Sequence, residues 1–334
     1  MSASLSVVMP VFNEAPHLRA TIDALVEAVE RSGFEAELVL VDDGSIDGSA
    51  AVVRVALADR LLLRVVAQPN RGRFEARRAG LDAATGDWVL LLDGRVRLRP
   101  ESLAFVHDRL AAGEIVWNGH VHVEIGGNPY GAFWNVLVEL AWRGYFDDPR
   151  TTSFDTEGFD RYPKGTTCFL VPRQLLLDAL SGYRSGYADL RHANDDTPVI
   201  RWIAARERIH LSPLFSCDYA PRATLRSFLR HSFHRGVVFV DGHGRLESRF
   251  FPIAVAFFPL SGGLALASLR RPALVPALAA ATAVAGGTLA AVSGRSTFET
   301  ASFGALAPVY AVAHGAGMWR GLALLARHRL VPGA

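Results

Sequence analysis

Few features restrict a fold as tightly as a regular switch between two hydrophobic periods, and the first hundred residues of this chain switch repeatedly. SVVMPVF (residues 6–12) is an unbroken apolar run of strand length. Behind it Leu18, Ile22, Leu25, Val26 and Val29 recur at helical spacing, with Pro16 in the first turn and Gly33 as the stop. ELVLVDD then reads as a second strand, residues 47–57 as a second helix, LLLRVVA as a third strand, residues 74–84 as a third helix stopped at Gly86, and DWVLLLD as a fourth strand. Strands that are apolar on both faces and separated by helices form a parallel sheet covered on both sides. The expected fold is therefore α/β, a doubly wound, mostly parallel sheet whose chemistry sits at the carboxyl ends of its strands.

Polar clusters occupy three of those ends: Asn13-Glu14, Asp42-Asp43-Gly44-Ser45 and Asp93-Gly94-Arg95. A helix N-cap explains an isolated acid after a strand, and Asp47 or Ser45 fits that role. Clusters at equivalent edges point instead to a ligand. No G-x-G-x-x-G follows the first strand and no G-x-x-x-x-G-K-[ST] occurs, so neither a Rossmann phosphate turn nor a P-loop is present. Side-chain carboxylates and amides at the strand ends could grip a nucleoside instead, with the base at Asp42 and the ribose hydroxyls at the backbone near Pro10. With Lys+Arg 35 against Asp+Glu 33, the charge is too balanced for a general nucleic-acid binder. Lys164 is the sole lysine, so the positive charge is nearly all guanidinium. Cys168 and Cys217 lack partners at metal-ligand spacing and read as reduced core residues. No signal peptide precedes the first strand, which places the N-terminal part in the cytosol.

VMPVFNEAPHL, LVLVDDGSIDGS and NRGRFEARRAGLDAATGDWVLLLDG together resemble the nucleotide-binding half of the inverting family-2 glycosyltransferases of GT-A fold, over about residues 4–105. The ordered set at this spacing is specific where each motif alone is weak. The resemblance implies that Pro10, Phe12, Glu14 and Asp42 contact base and ribose, that Asp43 supports their loop, and that Asp93 stands beside a diphosphate. It also implies Mg²⁺ or Mn²⁺, held by the last acid of an Asp-x-Asp against the leaving group. Arg95 stands where that acid should be. Three readings follow: Asp93 keeps the metal with waters and a later ligand such as His234 or Asp241; Arg95 itself supplies the positive charge; or the site has decayed and the chain only binds. Of the basic run opening the third helix, Arg71 and Arg73 are expected at the nucleotide, whereas Arg77 and Arg78 read as solvated.

HANDDTPVIRW places Asp195 and Asp196 before a helix that Asp196 or Thr197 could cap, which leaves one acid over. The family resemblance puts an acceptor-activating base in this region, and Asp195 is preferred over Asp196. PKGTTCFLVPR resembles the acceptor-side strand of the family, with Lys164, Gly165 and Thr166 lining the site. Arg230, His231, His234 and Arg235 look like a divergent Gln-x-x-Arg-Trp-like segment, suited to a diphosphate or a lipid headgroup. Residues 130–146 form a helix that either packs in a core or lies at an interface.

Composition shifts near residue 250. Residues 250–269, 272–292 and 301–319 are apolar runs of roughly the ~20 residues that cross a bilayer. The expected division is a cytosolic domain at 1–245 and a membrane region at 246–334. A two-span arrangement, with 250–269 lying at the interface because of Pro259 and Ser261-Gly262-Gly263, keeps Arg249, Arg270, Arg271, Arg320, Arg327 and Arg329 inside and Arg295 outside; three spans are the alternative. The sequence thus reads as a multi-pass membrane glycosyltransferase using a UDP- or GDP-sugar and a polyprenyl-phosphate, lipid-linked or cell-envelope acceptor. The rival reading is an inactive binding subunit of another such enzyme.

Overall fold

The structure, a computed structural model, describes residues 3–330, and the side chains through His328; the side chain of Arg329 lies outside the described residues. The alternation is realised as β1 (Ala3–Val11), α1 (Ala15–Glu30), β2 (Phe34–Asp42), α2 (Ser49–Leu57), β3 (Leu62–Ala67), α3 (Arg73–Ala83) and β4 (Trp88–Leu92). These strands pair in parallel in the order β3-β2-β1-β4. Apolar side chains from both faces of β1, β2 and β4 are buried, because α1 and α3 both lie against the sheet. Gly80 on α3 faces Val8 and Val41 so closely that a Cβ would fall 2.5 Å and 2.8 Å from their methyl groups. Helix and sheet therefore meet there without an intervening side chain.

The rest of the sheet adds β5 (Val96–Leu98), β6 (Trp117–Val123), β7 (Thr152–Phe154), β8 (Cys168–Pro172) and β9 (Ile209–Tyr219), interspersed with α4 (Ser102–Leu110), α5 (Pro129–Ala141), α6 (Arg143–Phe146), α7 (Arg173–Ser181) and α8 (Asp196–Ala204). The full order is β3-β2-β1-β4-β8-β6-β9-β5, with β7 on β9. β8 runs antiparallel to β4, and β5 and β7 run antiparallel to β9, so the sheet as a whole is mixed. The pairing of Leu92 with Cys168 sets the start of β8 beside the end of β4, and Asp93 N–H donates to Thr167 O at 3.0 Å. Cys168 and Cys217 are buried thiols.

Helix ends depart from expectation in places. α2 begins at Ser49 with Gly48 at its N-cap position, and the Asp47 carboxylate accepts from Ser49 N and Oγ, meeting the first N–H of the helix, and from Ala15 N, tying the two loops together. α8 takes Asp195 at its N-cap position, yet no side chain there bonds the helix backbone. The expectation that one acid is spent on capping fails because both acids are drawn to a buried arginine.

The remaining helices are α9 (Leu225–His243), α10 (Phe251–Arg270), α11 (Leu274–Val292) and α12 (Thr297–Leu330). By contact density the chain divides into two compact units, and the second takes Val123–Arg143, Ser185–Asn194 and Pro221–Ala334. The sequence division at 245 thus does not coincide with them, since three earlier segments join the later helices. Within the second unit α5 packs in a core of Phe133, Val136, Phe228, Ala290 and Phe303. Among the described residues two helices, α10 and α11, are long and apolar enough, by length and composition, to cross a membrane. α10 is helical through Pro259 and Gly262-Gly263, the segment that the sequence places at the interface. The third apolar run lies inside α12, which packs along α9, α5 and α11.

Candidate active site

The first unit gathers its acids around one guanidinium. Arg77 projects from the buried face of α3, between Phe74 and Leu81, and its side chain is 3% exposed. Its Nη1 donates to Asp195 Oδ2 at 2.7 Å and Asp196 Oδ1 at 2.9 Å, and its Nη2 to Asp93 Oδ1 at 3.2 Å. The Thr166 carbonyl lies 3.4 Å from the same Nη2, and the Thr166 hydroxyl donates to Asp196. Segments far apart in sequence meet here for identifiable reasons. The β4–β8 pairing delivers Asp93 and Thr166 side by side, and the start of α8 supplies the acid pair.

The expectation that Arg77 is solvated is therefore overturned. A buried charge must be paired and hydrogen-bonded, and this one meets three carboxylates. Burial alone would lower its pKa, but those carboxylates raise it above the usual arginine value. The two acids of the pair are driven apart. Burial pushes the Asp195 carboxyl up against the pull of Arg77, with the neighbouring Asp196 adding to the rise. Burial acts on Asp196 too, but Arg73, Arg77 and the Thr166 hydroxyl outweigh it and hold this carboxyl below the ordinary range. Arg73 stands at the edge of the cluster, its Nε 3.7 Å from Asp195 Oδ1.

The carboxyl ends of β1 and β2 form the adjoining part, since Val11 and Asp42 are register partners. Pro10, the penultimate residue of β1, is partly buried, and Phe12 is 48% exposed. Asn13 adopts a left-handed φ of 56°, which asparagine tolerates, and its Oδ1 accepts from Ile46 N. Asp42 Oδ1 accepts from Ser45 N at 2.8 Å. Asp43 is buried, and its carboxylate accepts from Gln68 Nε2, Arg71 N and Gly72 N at 2.7–2.9 Å. It thereby braces the entry to α3; Gln68, which carries no sequence signal of its own, is part of that brace.

Arg95 folds back toward α1. Its Nε lies 2.7 Å from Glu14 Oε2, with both side chains 19% exposed. Gly94 between Asp93 and Arg95 allows this return, because a Cβ there would sit 3.2 Å from Leu18 and 3.3 Å from Val11.

The residues fit the divalent ion expected from an Asp-x-Asp poorly. The second acid is a guanidinium, Asp93 is engaged by Arg77, and no group of three or more His, Cys, Asp or Glu among the described residues could hold a metal. Asp241, proposed from sequence as a further ligand, belongs to the second unit. There its carboxylate accepts from Ser185 Oγ, Gly186 N and Asn194 N, so it fastens a loop. His234, the other suggested ligand, lies near His192 in that unit. Arg230, His231 and Arg235 share α9 with it, and His231 packs edge-on against Trp134. On the acceptor-side strand, Gly165 N donates to Asn118 Oδ1 at 3.0 Å. Lys164 donates to the carbonyls of Phe159 and Tyr162 and lies over the Phe159 ring, so it holds that turn.

Comparisons with known proteins agree with this architecture. Undecaprenyl-phosphate 4-deoxy-4-formamido-L-arabinose transferases of Aeromonas hydrophila and Proteus mirabilis are 37% and 35% identical over 101 residues, covering 30% of this chain and 31% of each relative. The match thus spans about a third of the length of these curated relatives. Among solved structures, S. aureus TarS 1-349 in complex with UDP superposes with a TM-score of 0.53 at 17% identity, covering 98% of this chain and 91% of that one. Mannosyltransferase PcManGT from Pyrobaculum calidifontis, in complex with GDP-Man and Mn²⁺, gives 0.54 at 20% identity, covering 94% and 86%. These likenesses show the GT-A fold. The Glycosyl transferase family 2 profile matches residues 6–174, half of the chain, and with the sheet order and strand-end acids already described it makes this protein a member of that family.

Proposed function

We propose that the chain is a membrane-bound inverting glycosyltransferase that moves a sugar from a UDP- or GDP-sugar to polyprenyl phosphate or another lipid-linked cell-envelope acceptor. The observation that carries this reading is the meeting of Asp93, Asp195 and Asp196 on Arg77, next to the strand ends that bear Asp42 and Glu14. Relatives named for transfer to undecaprenyl phosphate, and neighbours solved with UDP and GDP-Man, support the same acceptor and donor classes.

In this reading Pro10, Phe12, Asp42 and Glu14 receive the nucleoside, while Asp93 and Arg73 flank the diphosphate. The acceptor oxygen attacks the anomeric carbon from the face opposite the diphosphate; the new C–O bond forms as the bond to phosphate breaks, and the nucleoside diphosphate leaves with the electron pair. A hydroxyl acceptor must also lose a proton, to Asp195 or Asp196. A phosphate acceptor is already anionic.

α10 and α11 serve as the membrane hairpin, with residues 1–245 on the cytosolic side. Arg295, after α11, pairs with Glu139 on α5, before α10. Charges in contact lie on one side of a membrane, so the chain between them crosses an even number of times, which two spans satisfy. Arg295 then lies inside and Arg270-Arg271 outside.

The test is to incubate detergent-solubilised protein with labelled UDP- and GDP-sugars and polyprenyl phosphate, and to follow label into the lipid phase. Transfer supports the reading. Nucleotide binding with no transfer to polyprenyl phosphate or to native membrane lipids overturns it in favour of the inactive-subunit alternative. With a phosphate acceptor, D195N and D196N retain most of the rate; with a hydroxyl acceptor one of them loses about 10²–10⁴-fold.

A further inference from the structure

We propose that Arg95, in place of a divalent ion, is the cation that meets the diphosphate of the bound nucleotide. The inference rests on the donor reading above and adds the chemistry by which the leaving group is held.

Position is the first support. Arg95 lies in the short turn between β4 and β5, after Asp93 and Gly94, and its side chain returns to Glu14, which follows β1. β1 and β4 are adjacent central parallel strands, and ligands of open α/β sheets lie at the carboxyl ends of such strands. Gly94 presses against Val11 and Leu18, and its carbonyl accepts from the buried Thr21 hydroxyl at 3.0 Å. The backbone that carries Arg95 is thus fixed, and only the side chain is left to rearrange.

The acids and bases present give the second support. A hard divalent ion at a transferring phosphate is held by one or two carboxylates, but here one of the two positions is itself a cation and the other, Asp93, is bound to Arg77. Bringing a metal between Asp93 and Arg95 would set it against a guanidinium. A guanidinium makes paired hydrogen bonds to phosphate oxygens and does not deprotonate, so it can take over the charge that builds on the departing diphosphate. Arg77 is unsuited to this, being 3% exposed and committed to three carboxylates. Arg95 has Glu14 as its one carboxylate partner among the described residues and is 19% exposed. In the resting state Glu14 lies at Arg95 Nε alone. The diphosphate then engages the Nη1 and Nη2 groups of the fork, and Glu14 keeps Nε.

Calorimetric titration of the full chain in detergent with UDP and with GDP, in EDTA and again in excess Mg²⁺ or Mn²⁺, tests this. The wild type binds one of the nucleotides with the same affinity, within about twofold, in both conditions. R95A weakens binding by about tenfold or more in EDTA while its melting temperature stays near that of the wild type. R95D, which restores an Asp-x-Asp, binds well only when the metal is added. Loss of wild-type binding in EDTA with recovery in metal overturns the inference and leaves the donor reading intact, as does R95A binding at wild-type strength. Failure of both nucleotides to bind in either condition overturns the donor reading and the inference with it.

Discussion

Replacing Arg77 by methionine tests the electrostatic centre of the first unit. The guanidinium is 3% exposed and is shared by Asp93, Asp195 and Asp196. Removing one partner of a buried ion pair destabilises by about 3–5 kcal/mol, because the charge left behind is neither solvated nor paired. At about 2–4 °C per kcal/mol for a unit of this size, R77M should melt about 6–20 °C below the wild type. The sign of the pH dependence follows from the same groups. In the wild type Asp196 is held below the ordinary carboxylate range; its stabilisation is present above the unfolded value and is lost only in strong acid, as pH falls through the folded one. In R77M burial and mutual repulsion raise both acids of the pair, so the folded state binds more protons than the unfolded one and stability falls as pH rises, by at most about 1.4 kcal/mol per pH unit for each group. Asp195 already leans that way in the wild type, so the diagnostic is the gap between the two proteins: wide near pH 8 and narrower near pH 5.5. R77K, which keeps the charge but not the fork, should fall between. Melting followed by intrinsic fluorescence in detergent reads all three. A gap under about 2 °C, or one that widens on acidification, would refute the reasoning.

Two further tests address other parts of the molecule. A Cβ on Gly317 would overlap the Phe233 carbonyl, and one on Gly236 the His314 carbonyl, so α9 and α12 touch through their backbones. G317V should lower the melting temperature by the equivalent of about 1–3 kcal/mol, whereas G263A, where a Cβ meets nothing within 4 Å, should be neutral or slightly stabilising; equal effects would show that the contact does not hold the helices. His120 is buried, its Nδ1 sits 2.7 Å from the Tyr145 hydroxyl, and burial pushes its imidazole down to about 4. A folded value below the unfolded 6.5 gives stability that is full above pH 6.5 and is lost as pH falls toward 4. H120N should therefore flatten the acid side of the stability profile, and an NMR titration of His120 with a midpoint near 6.5 would contradict the burial argument.

The parallel half of the sheet was legible because strands buried on both faces must be continuously apolar, and β1, β2 and β4 are. The antiparallel half was less so. β8 and β9 pair with strands distant in sequence, and nothing local in either segment specifies a partner. The same limit hid Arg77. In the sequence it is one charge in a basic run, yet Phe74, Arg77 and Leu81 fall on one stripe of α3, and a guanidinium on an apolar stripe is itself a sign of buried counter-charges elsewhere. The acid pair is visible in the sequence, but the nearest backbone suggests a cap for one of the two, whereas the stronger partner lies 118 residues away in the chain. In the apolar tail, hydropathy alone ranked 301–319 with the other runs; α12 is distinguished by glycines that let α9 and α11 close on it, a property of spacing and not of mean apolarity.

The electrostatics of the acid pair also bear on which acceptor the site suits. A general base must be both reachable and willing to take a proton. Asp196 is held as a carboxylate by two guanidinium groups and the Thr166 hydroxyl, so its proton affinity is low where a base needs it raised. Asp195 has the raised affinity, but its side chain is 3% exposed and its oxygens face Arg77 and Arg73. Each acid thus lacks what the other has, and neither is poised to activate a hydroxyl without rearrangement. An acceptor that arrives as a phosphate anion removes the requirement, and the pair then acts by orienting Arg77 and shaping the floor beside Asp93. Under the proposed function this favours a polyprenyl-phosphate acceptor, for which the two asparagine variants should leave the transfer rate largely intact.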